Sequence, residues 1–209
     1  MFQYWSVRIS VACALVFLLQ GLMEPLTDEL ALVSGEVLVR PWTLITSIFA
    51  HADPLHLAYN MLALLLFGSM LERIVGGRKF LAVYFGAGLA GSFAALPFYT
   101  ASLGASGAIF GAMGALAVLR PRMVVYISYV PMPMILAVAV WALIDFTGLF
   151  FPSGTANAAH LAGLAVGLLA GAYLKRDYGE RPMGRRKPPQ IPEKEIRTWE
   201  NRWLIGKKA

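Results

Sequence analysis

Six apolar stretches separated by short polar segments are the feature that most constrains what this chain can fold into. Five of them are roughly 17 to 22 residues long, enough for a helix to cross a hydrocarbon core of about 30 Å. They cover residues 7–23, 55–71, 80–99, 106–119, 130–150 and 157–174, and the fourth is the short one. Because 58% of the residues are hydrophobic and only 14% are charged, the pattern predicts an all-α, polytopic membrane protein.

The positive charges are unevenly distributed along the chain. Lysine and arginine residues follow the second, fourth and sixth stretches, whereas the segments on the opposite side carry only Arg40. Since positively charged loops stay in the cytoplasm, this asymmetry predicts two cytoplasmic termini and an outer loop at 24–54. Membrane topology therefore accounts for the net charge of +6, and no nucleic-acid partner is expected.

The two ends of the chain lead to separate expectations. A cleavable signal peptide is an alternative for the first stretch, because Arg8 precedes an apolar run, but residues 21–25 lack the usual small-residue cleavage site. At the other end, residues 175–209 are basic and interrupted by prolines, which predicts a disordered cytoplasmic tail after a membrane domain at 1–174. A short interfacial helix from Trp199 to Trp203 is the alternative to a fully solvated tail.

Ser106 and His160 are polar residues inside apolar, glycine-rich stretches. An ionisable side chain within a membrane is costly, so His160 marks a functional site by default. Ser106 lies fourteen residues before Arg120, and His160 lies fifteen residues before Lys175. At about 1.5 Å per helical residue, both would lie about 21 to 22 Å from the cytoplasmic side. Spacing alone therefore predicts that the two side chains share one depth.

His56 and Asn60 are expected at the same level. By the same rise they would lie about 24 Å and 18 Å from the cytoplasmic interface. Their separation of four residues places them on one face of a helix. Four polar groups from three helices thus converge in depth.

This set of residues fits the hydrolysis of an amide bond. Ser106 supplies a nucleophile at the start of a helix, and His160 is the candidate general base and acid. The Ser106 N–H, His56 and Asn60 are candidate donors to an oxyanion. Asp145 is the one carboxylate near this depth, toward the outer part of its stretch, and a Ser-His dyad without it is the economical interpretation.

Small residues explain how these helices could approach one another. Gly163, Gly167 and Gly171 follow His160 on one helical face, and further glycines, Gly107, Gly111 and Gly114, line the short fourth stretch. Small faces allow close contact between membrane helices. For the glycines alone, ordinary helix packing without catalysis is the better interpretation.

Three motifs in order resemble the rhomboid family of intramembrane serine proteases, in its six-helix prokaryotic form, from Trp42 to Gly171. The motifs are Gly104-Ala105-Ser106-Gly107, Ala159-His160-Leu161-Ala162-Gly163, and the His-x4-His-x3-Asn pattern of His51, His56 and Asn60. The resemblance implies Ser106 as nucleophile on a short central helix, His160 as base, His56 and Asn60 at the oxyanion hole, and His51 as a structural histidine. It implies cleavage of single-pass membrane proteins near the outer end of their helix, in the inner membrane of a prokaryote.

Two positions depart from the family pattern, and a gate is implied more loosely. Thr43 stands where the family often has arginine after Trp42, so Arg40 is a candidate for the missing contact. Phe110 stands where tyrosine is common, and it can pack against the histidine ring without donating a hydrogen bond. The resemblance also implies a lateral gate between the second and fifth stretches, formed by Tyr59, Trp141 and Phe146.

The same residues allow other functions to be considered for the chain, namely metal binding, transport and helix binding. A zinc site is not expected, because His51 and His56 flank Pro54 and no further ligands complete a shell. Glu72 and Asp145 allow a proton-coupled transporter, although no internal repeat is evident. A catalytically silent rhomboid relative that binds helices as a chaperone or escort is the other alternative. The favoured interpretation expects membrane-protein substrates and the lipid bilayer as partners, and no cofactor.

Overall fold

Helices make up most of the structure, a computed structural model that describes residues 4–127, 129–151, 154–179 and 193–200. The longer helices are α1 (Trp5–Leu22), α4 (Pro54–Ala63), α5 (Ser69–Val75), α6 (Gly77–Ala95), α7 (Ser106–Leu119), α8 (Met134–Gly148) and α9 (Asn157–Tyr178), and the shorter ones are α2 (Leu26–Leu30), α3 (Thr43–Thr46) and α10 (Glu193–Glu200). Two short strand pairs complete the described part: β1 (Leu32–Val33) with β2 (Ala101–Ser102), and β3 (Val124–Ile127) with β4 (Val130–Pro133).

Three helical segments in the described part are long and apolar enough to cross a membrane: Trp5–Leu22, Pro54–Val75 and Asn157–Tyr178. The second consists of α4, a π-helical turn at Leu64–Gly68, and α5. It begins sharply because the Asp53 side chain accepts the His56 N–H at 2.8 Å and Pro54 occupies the first turn. It ends at Gly76, whose φ of +82° suits a residue without a Cβ. α7 and α8 are shorter apolar helices.

α7 and α9 pack with almost no space between their backbones. A Cβ at Gly163 would lie 2.0 Å from the carbonyl oxygen of Gly107, and one at Gly167 would lie 2.0 Å from that of Gly111. Most of α7 is buried, and it also packs against α6 and α8. Glycine is therefore required at these positions, since any side chain would push the two helices apart.

A buried carboxylate joins the beginning of α1 to α5. Glu72 accepts hydrogen bonds from the N–H groups of Trp5 and Ser6 at 2.8 and 2.9 Å, and from the Ser6 hydroxyl at 3.0 Å. The free N–H groups of a helix start favour a negative charge. Glu72 thus caps α1, which gives it a structural role independent of proton transport.

Residues 24–54, the predicted outer loop, are held together by contacts of their own side chains. Arg40 pairs with Glu29 at 3.4 Å and with Glu36 at 2.5 Å, and its carbonyl accepts the Thr43 hydroxyl at 2.6 Å. Thr43 is buried, and it stands where an arginine was expected. Arg40, three residues before Thr43, therefore connects Glu29, Glu36 and Thr43 within this segment.

Several apolar stretches have bounds that differ from the sequence prediction, and the differences in the fifth and sixth stretches change the type or the extent of an element. Val130 to Pro133 was expected to begin a helix but forms β4, because Val130 and Met132 each precede a proline, which disfavours helical backbone at those two residues. α9 continues to Tyr178, beyond the predicted start of the tail at residue 175. Within the tail, Glu193–Glu200 is helical, whereas residues 180–192 and 201–209, including Trp203, lie outside the described residues.

Candidate active site

The structure brings Ser106 and His160 into direct contact. His160 Nε2 lies 2.7 Å from Ser106 Oγ, although 54 positions separate the two residues in sequence. His160 is buried, and Ser106 is partly exposed. The hydroxyl can therefore donate to a ring nitrogen while remaining accessible from the cleft, which is the arrangement that a nucleophile and its base require.

Ser106 is positioned by the segment that leads into α7. This segment follows β2, which pairs with β1, and its Gly104 N–H donates to the Ser47 carbonyl at 2.8 Å. Gly104 has a φ of +121°, and a Cβ there would lie 2.8 Å from Nε2 of His56. Non-helical backbone is tolerated here because protein groups take up its hydrogen bonds.

The ring of His160 is held on several sides. Phe110, one turn after Ser106, stacks on it with ring centroids 4.4 Å apart and an interplanar angle of 10°. At the beginning of α9, the Tyr99 hydroxyl accepts the Ala158 N–H at 3.1 Å. Phenylalanine at position 110 thus provides a flat apolar surface that limits tilting of the histidine ring.

Asp145 lies on the far side of the same ring. Its Oδ1 is 2.9 Å from His160 Nδ1, and the side chains are 6% and 10% exposed. The sequence interpretation placed Asp145 near the required depth but left it out of the reacting group, because spacing along one helix does not show which neighbour a side chain faces. A buried, charged residue in an apolar helix was the available signal.

His56 and Asn60 line an open cleft of about 940 Å³ together with Ser106 and His160. The Asn60 amide donates to the His56 carbonyl at 2.9 Å, and its Oδ1 has no hydrogen-bond partner among the residues that the structure describes. The first N–H groups of α7 also belong to this region, since a helix start offers donors without intrahelical acceptors. The cleft therefore combines hydrogen-bond donors with the serine hydroxyl.

His51 lies behind His56 and is almost fully buried. The two rings meet edge to face with centroids 5.2 Å apart, and Gln20 holds the His51 backbone through two hydrogen bonds of 3.1 Å. Burial, and to a smaller extent the nearby His56, lowers the pKa of His51 from 6.5 to about 4, so the ring is neutral at physiological pH. Sequence reasoning missed Gln20, whose signal was a polar residue near the end of an apolar stretch.

The three residues expected at a gate occupy different environments. Tyr59 and Phe146 are 65% and 53% exposed. Trp141 instead packs edge to face on Phe67, with centroids 6.0 Å apart. Phe146 contacts Phe150, which lines the cleft. Trp141 thus lies at a contact between α8 and the π-helical turn.

Comparisons with known proteins identify the family of this chain. The Rhomboid domain family matches residues 39–177, about two thirds of the chain. The chain belongs to the rhomboid family. It is 37% identical over 139 residues to Rhomboid protease GluP of Bacillus subtilis. It is 34% identical over 148 residues to Rhomboid protein 1, mitochondrial, of Saccharomyces cerevisiae, and 33% identical over 159 residues to RHOMBOID-like protein 12, mitochondrial, of Arabidopsis thaliana.

Each of these matches covers 64% of this chain and 26%, 42% and 46% of the respective relative. The chain thus spans less than half the length of these rhomboid relatives. Family membership and the apolar helices together identify a membrane protein. Among the residues that the structure describes, no group of three histidine, cysteine, aspartate or glutamate side chains is arranged to hold a metal ion.

Proposed function

We propose that this rhomboid is an intramembrane serine protease whose reacting pair is Ser106 and His160. The observation that carries the proposal is the 2.7 Å contact between Ser106 Oγ and His160 Nε2 at the wall of an open cleft. Membership of a family that includes a named rhomboid protease supports the same reaction. Both partners lie in or at the start of apolar helices, where an unneeded histidine would be costly.

The reaction begins when Ser106 Oγ attacks the carbonyl carbon of a substrate peptide bond. As the new C–O bond forms, the serine proton moves to His160 Nε2 and negative charge collects on the carbonyl oxygen. Donors from the Ser106 N–H, His56 and Asn60 stabilise this oxyanion. His160 then gives its proton to the departing amine as the C–N bond breaks, and water hydrolyses the acyl-enzyme with the same base.

The substrates we propose are single-pass membrane proteins, cut near the outer end of their helix. A small recess of about 30 Å³ adjoins Ser106 and is lined by small residues that include Gly104, Gly107 and Ala108. Such a recess accepts a small side chain beside the cut bond. We further propose that the substrate enters through a gate between α4 and α8. Tyr59 and Phe146 are exposed there, and Trp141 packs against Phe67 of the π-helical turn.

The proposed setting is the inner membrane of a prokaryote, with both termini in the cytoplasm. We propose that six helical segments, namely α1, α4 with α5, α6, α7, α8 and α9, form the membrane domain at 1–174, with α7 as its short central helix. The basic segment 175–209 would then be a cytoplasmic tail. The distribution of lysine and arginine supports this orientation.

A helix-binding rhomboid relative without protease activity is the second candidate, favoured by the exposed apolar side chains of α4 and α8. The two are separated by incubating the purified full-length chain in liposomes with tagged single-pass substrates and identifying products by mass spectrometry. A protease gives fragments whose new termini lie near the outer end of the substrate helix. Capture of intact substrates without fragments would contradict the protease function and favour the helix-binding function.

A further inference from the structure

Asp145 forms a second contact with the ring that activates Ser106. His160 uses Nε2 toward Ser106 Oγ at 2.7 Å and Nδ1 toward Asp145 Oδ1 at 2.9 Å. The three groups come from three helices, α8, α9 and α7, and the carboxylate is 6% exposed. The result is one continuous hydrogen-bonded chain from a buried acid to the hydroxyl in the cleft.

The chemistry of these groups decides where the proton on the ring must lie. An ionised carboxylate can only accept hydrogen bonds, so the contact with Asp145 requires a proton on Nδ1. In a neutral imidazole the other nitrogen is then an acceptor, and that nitrogen faces the Ser106 hydroxyl. Asp145 therefore selects the one tautomer in which His160 can accept the serine proton.

Phe110 and Asp145 constrain different movements of the same ring. The stacked Phe110 limits tilting of the ring. It does not favour either of the two orientations that a 180° flip of the imidazole about its Cβ–Cγ bond would exchange. Asp145 supplies that preference at the ring edge. A carboxylate is an expensive residue for mere packing in an apolar helix, where a leucine of similar size would carry no desolvation cost.

We propose that Asp145 is a positioning residue that holds His160 in the Nδ1-protonated tautomer and balances its charge when it takes the Ser106 proton. This rests on the proposed function, since it assumes that Ser106 and His160 react. During attack the Nδ1 proton stays on the ring, the serine proton arrives at Nε2, and Asp145 remains ionised. The reacting pair remains Ser106 and His160, and Asp145 supports it from the other side of the ring.

The kinetic test replaces Asp145 with asparagine in the full-length protein in liposomes. Asparagine keeps the shape, but its NH2 group can donate to Nδ1, which favours a proton on Nε2, and its neutral amide cannot balance the charge of a protonated ring. We expect kcat for a cleaved substrate to fall roughly 10²- to 10⁴-fold, the scale for losing a triad carboxylate, with KM changed less than about threefold. Asp28→Asn, the same change at an exposed outer-loop position, should leave both constants unchanged. An Asp145→Asn enzyme within about threefold of the wild-type kcat would overturn the proposal.

A spectroscopic test reads the tautomer without any substrate. The chain has three histidines, so ¹⁵N-histidine labelling gives few ring signals, and His160→Gln identifies those of His160. We expect Nδ1 to carry the proton in the wild type and the Nδ1–H signal to shift or vanish in Asp145→Asn. A wild-type ring protonated on Nε2 alone would overturn the proposal even if the variant failed to fold.

The two tests separate this inference from the proposed function. If Nδ1 protonation depends on Asp145 but the wild-type protein cleaves nothing, the proposed protease function is wrong and the hydrogen bond between Asp145 and His160 still holds. If the wild type and Asp145→Asn cleave the substrate equally, the positioning role of Asp145 is wrong and the proposed protease function still holds.

Discussion

The α7–α9 interface and the exposed sides of α4 and α8 are built on opposite principles. Along α7 and α9, glycines face glycines so closely that a methyl group at Gly163 or Gly167 would overlap a backbone carbonyl. Along α4 and α8, large apolar side chains such as Tyr59 and Phe146 are exposed. The first region fixes the distance between two helices, whereas the second leaves apolar surface for something else to cover.

This difference matches the two tasks of the protease proposed above. Ser106 and His160 belong to the tight region, and proton transfer tolerates little variation in the distance between them. A substrate helix needs a side through which it can enter, and close packing on every side would exclude it. We therefore expect substitutions in the tight region to affect the chemical step and substitutions on the open side to affect entry.

Replacement of His160 should have the largest effect. His160→Ala removes the base from the tight region, and we expect cleavage to fall to background while the protein still inserts into membranes. Gel-based cleavage of a tagged substrate measures the rate, and the thermal unfolding midpoint in detergent checks the fold. Appreciable cleavage by a folded His160→Ala protein would show that the base lies elsewhere.

His56 and Asn60 sharpen the comparison, because they belong to α4 but face the cleft. His56→Ala and Asn60→Ala should each lower kcat by roughly 10- to 1000-fold, the scale for losing an oxyanion donor. Leu62→Ala, which truncates an exposed side chain of the same helix, is the matched control for truncation of α4. Wild-type kcat in both cleft variants would remove the oxyanion role from this helix.

Gly167 tests whether tight packing matters at a distance from the reacting atoms. Gly167→Ala places a methyl group against the Gly111 carbonyl and should lower kcat roughly 10- to 100-fold, since small displacements are costly to catalysis. The expected loss of stability is about 1–3 kcal/mol, typical of overpacking. Gly86→Ala on α6 is the control, because nothing lies within 4 Å of a Cβ there. Equal kcat for the two variants would show that close packing at Gly167 does not control the positions of the reacting atoms.

The smallest effect is expected on the open side. Phe146→Ala removes a ring contact with Phe150 that is 5.5 Å between centroids and should widen the entrance. If entry limits turnover, kcat/KM rises about two- to fivefold, the equivalent of about 0.5–1 kcal/mol. Leu169→Ala, which truncates another exposed apolar side chain, should change nothing. Equal values for both variants would place the entrance elsewhere.

The sequence was most informative where one helix could be treated alone. The bounds of α7, Ser106–Leu119, agree with the predicted stretch, and family membership agrees with the three motifs. Depth along a helix follows from a fixed rise per residue, which is why the polar residues could be assigned a common level. The glycine spacing also gave the correct helical faces.

Rotation between helices and the shape of loops were not accessible in this way. The bond between Asp145 and His160 depends on how α8 turns toward α9, and no periodicity in either helix specifies that angle. The β1–β2 pairing joins residues about 70 positions apart, and the Arg40 contacts depend on a loop with no repeating pattern. The capping role of Glu72 likewise depends on where α1 begins relative to α5.

Ser106 allows the most direct test of the account. Cleavage of a tagged single-pass substrate in liposomes should be compared for the wild type, Ser106→Ala and Ser69→Ala, whose hydroxyl bonds the Leu65 carbonyl one turn back as an ordinary helix serine does. The account predicts that Ser106→Ala abolishes cleavage and that Ser69→Ala cleaves at the wild-type rate. Cleavage that persists in a folded Ser106→Ala protein would contradict it.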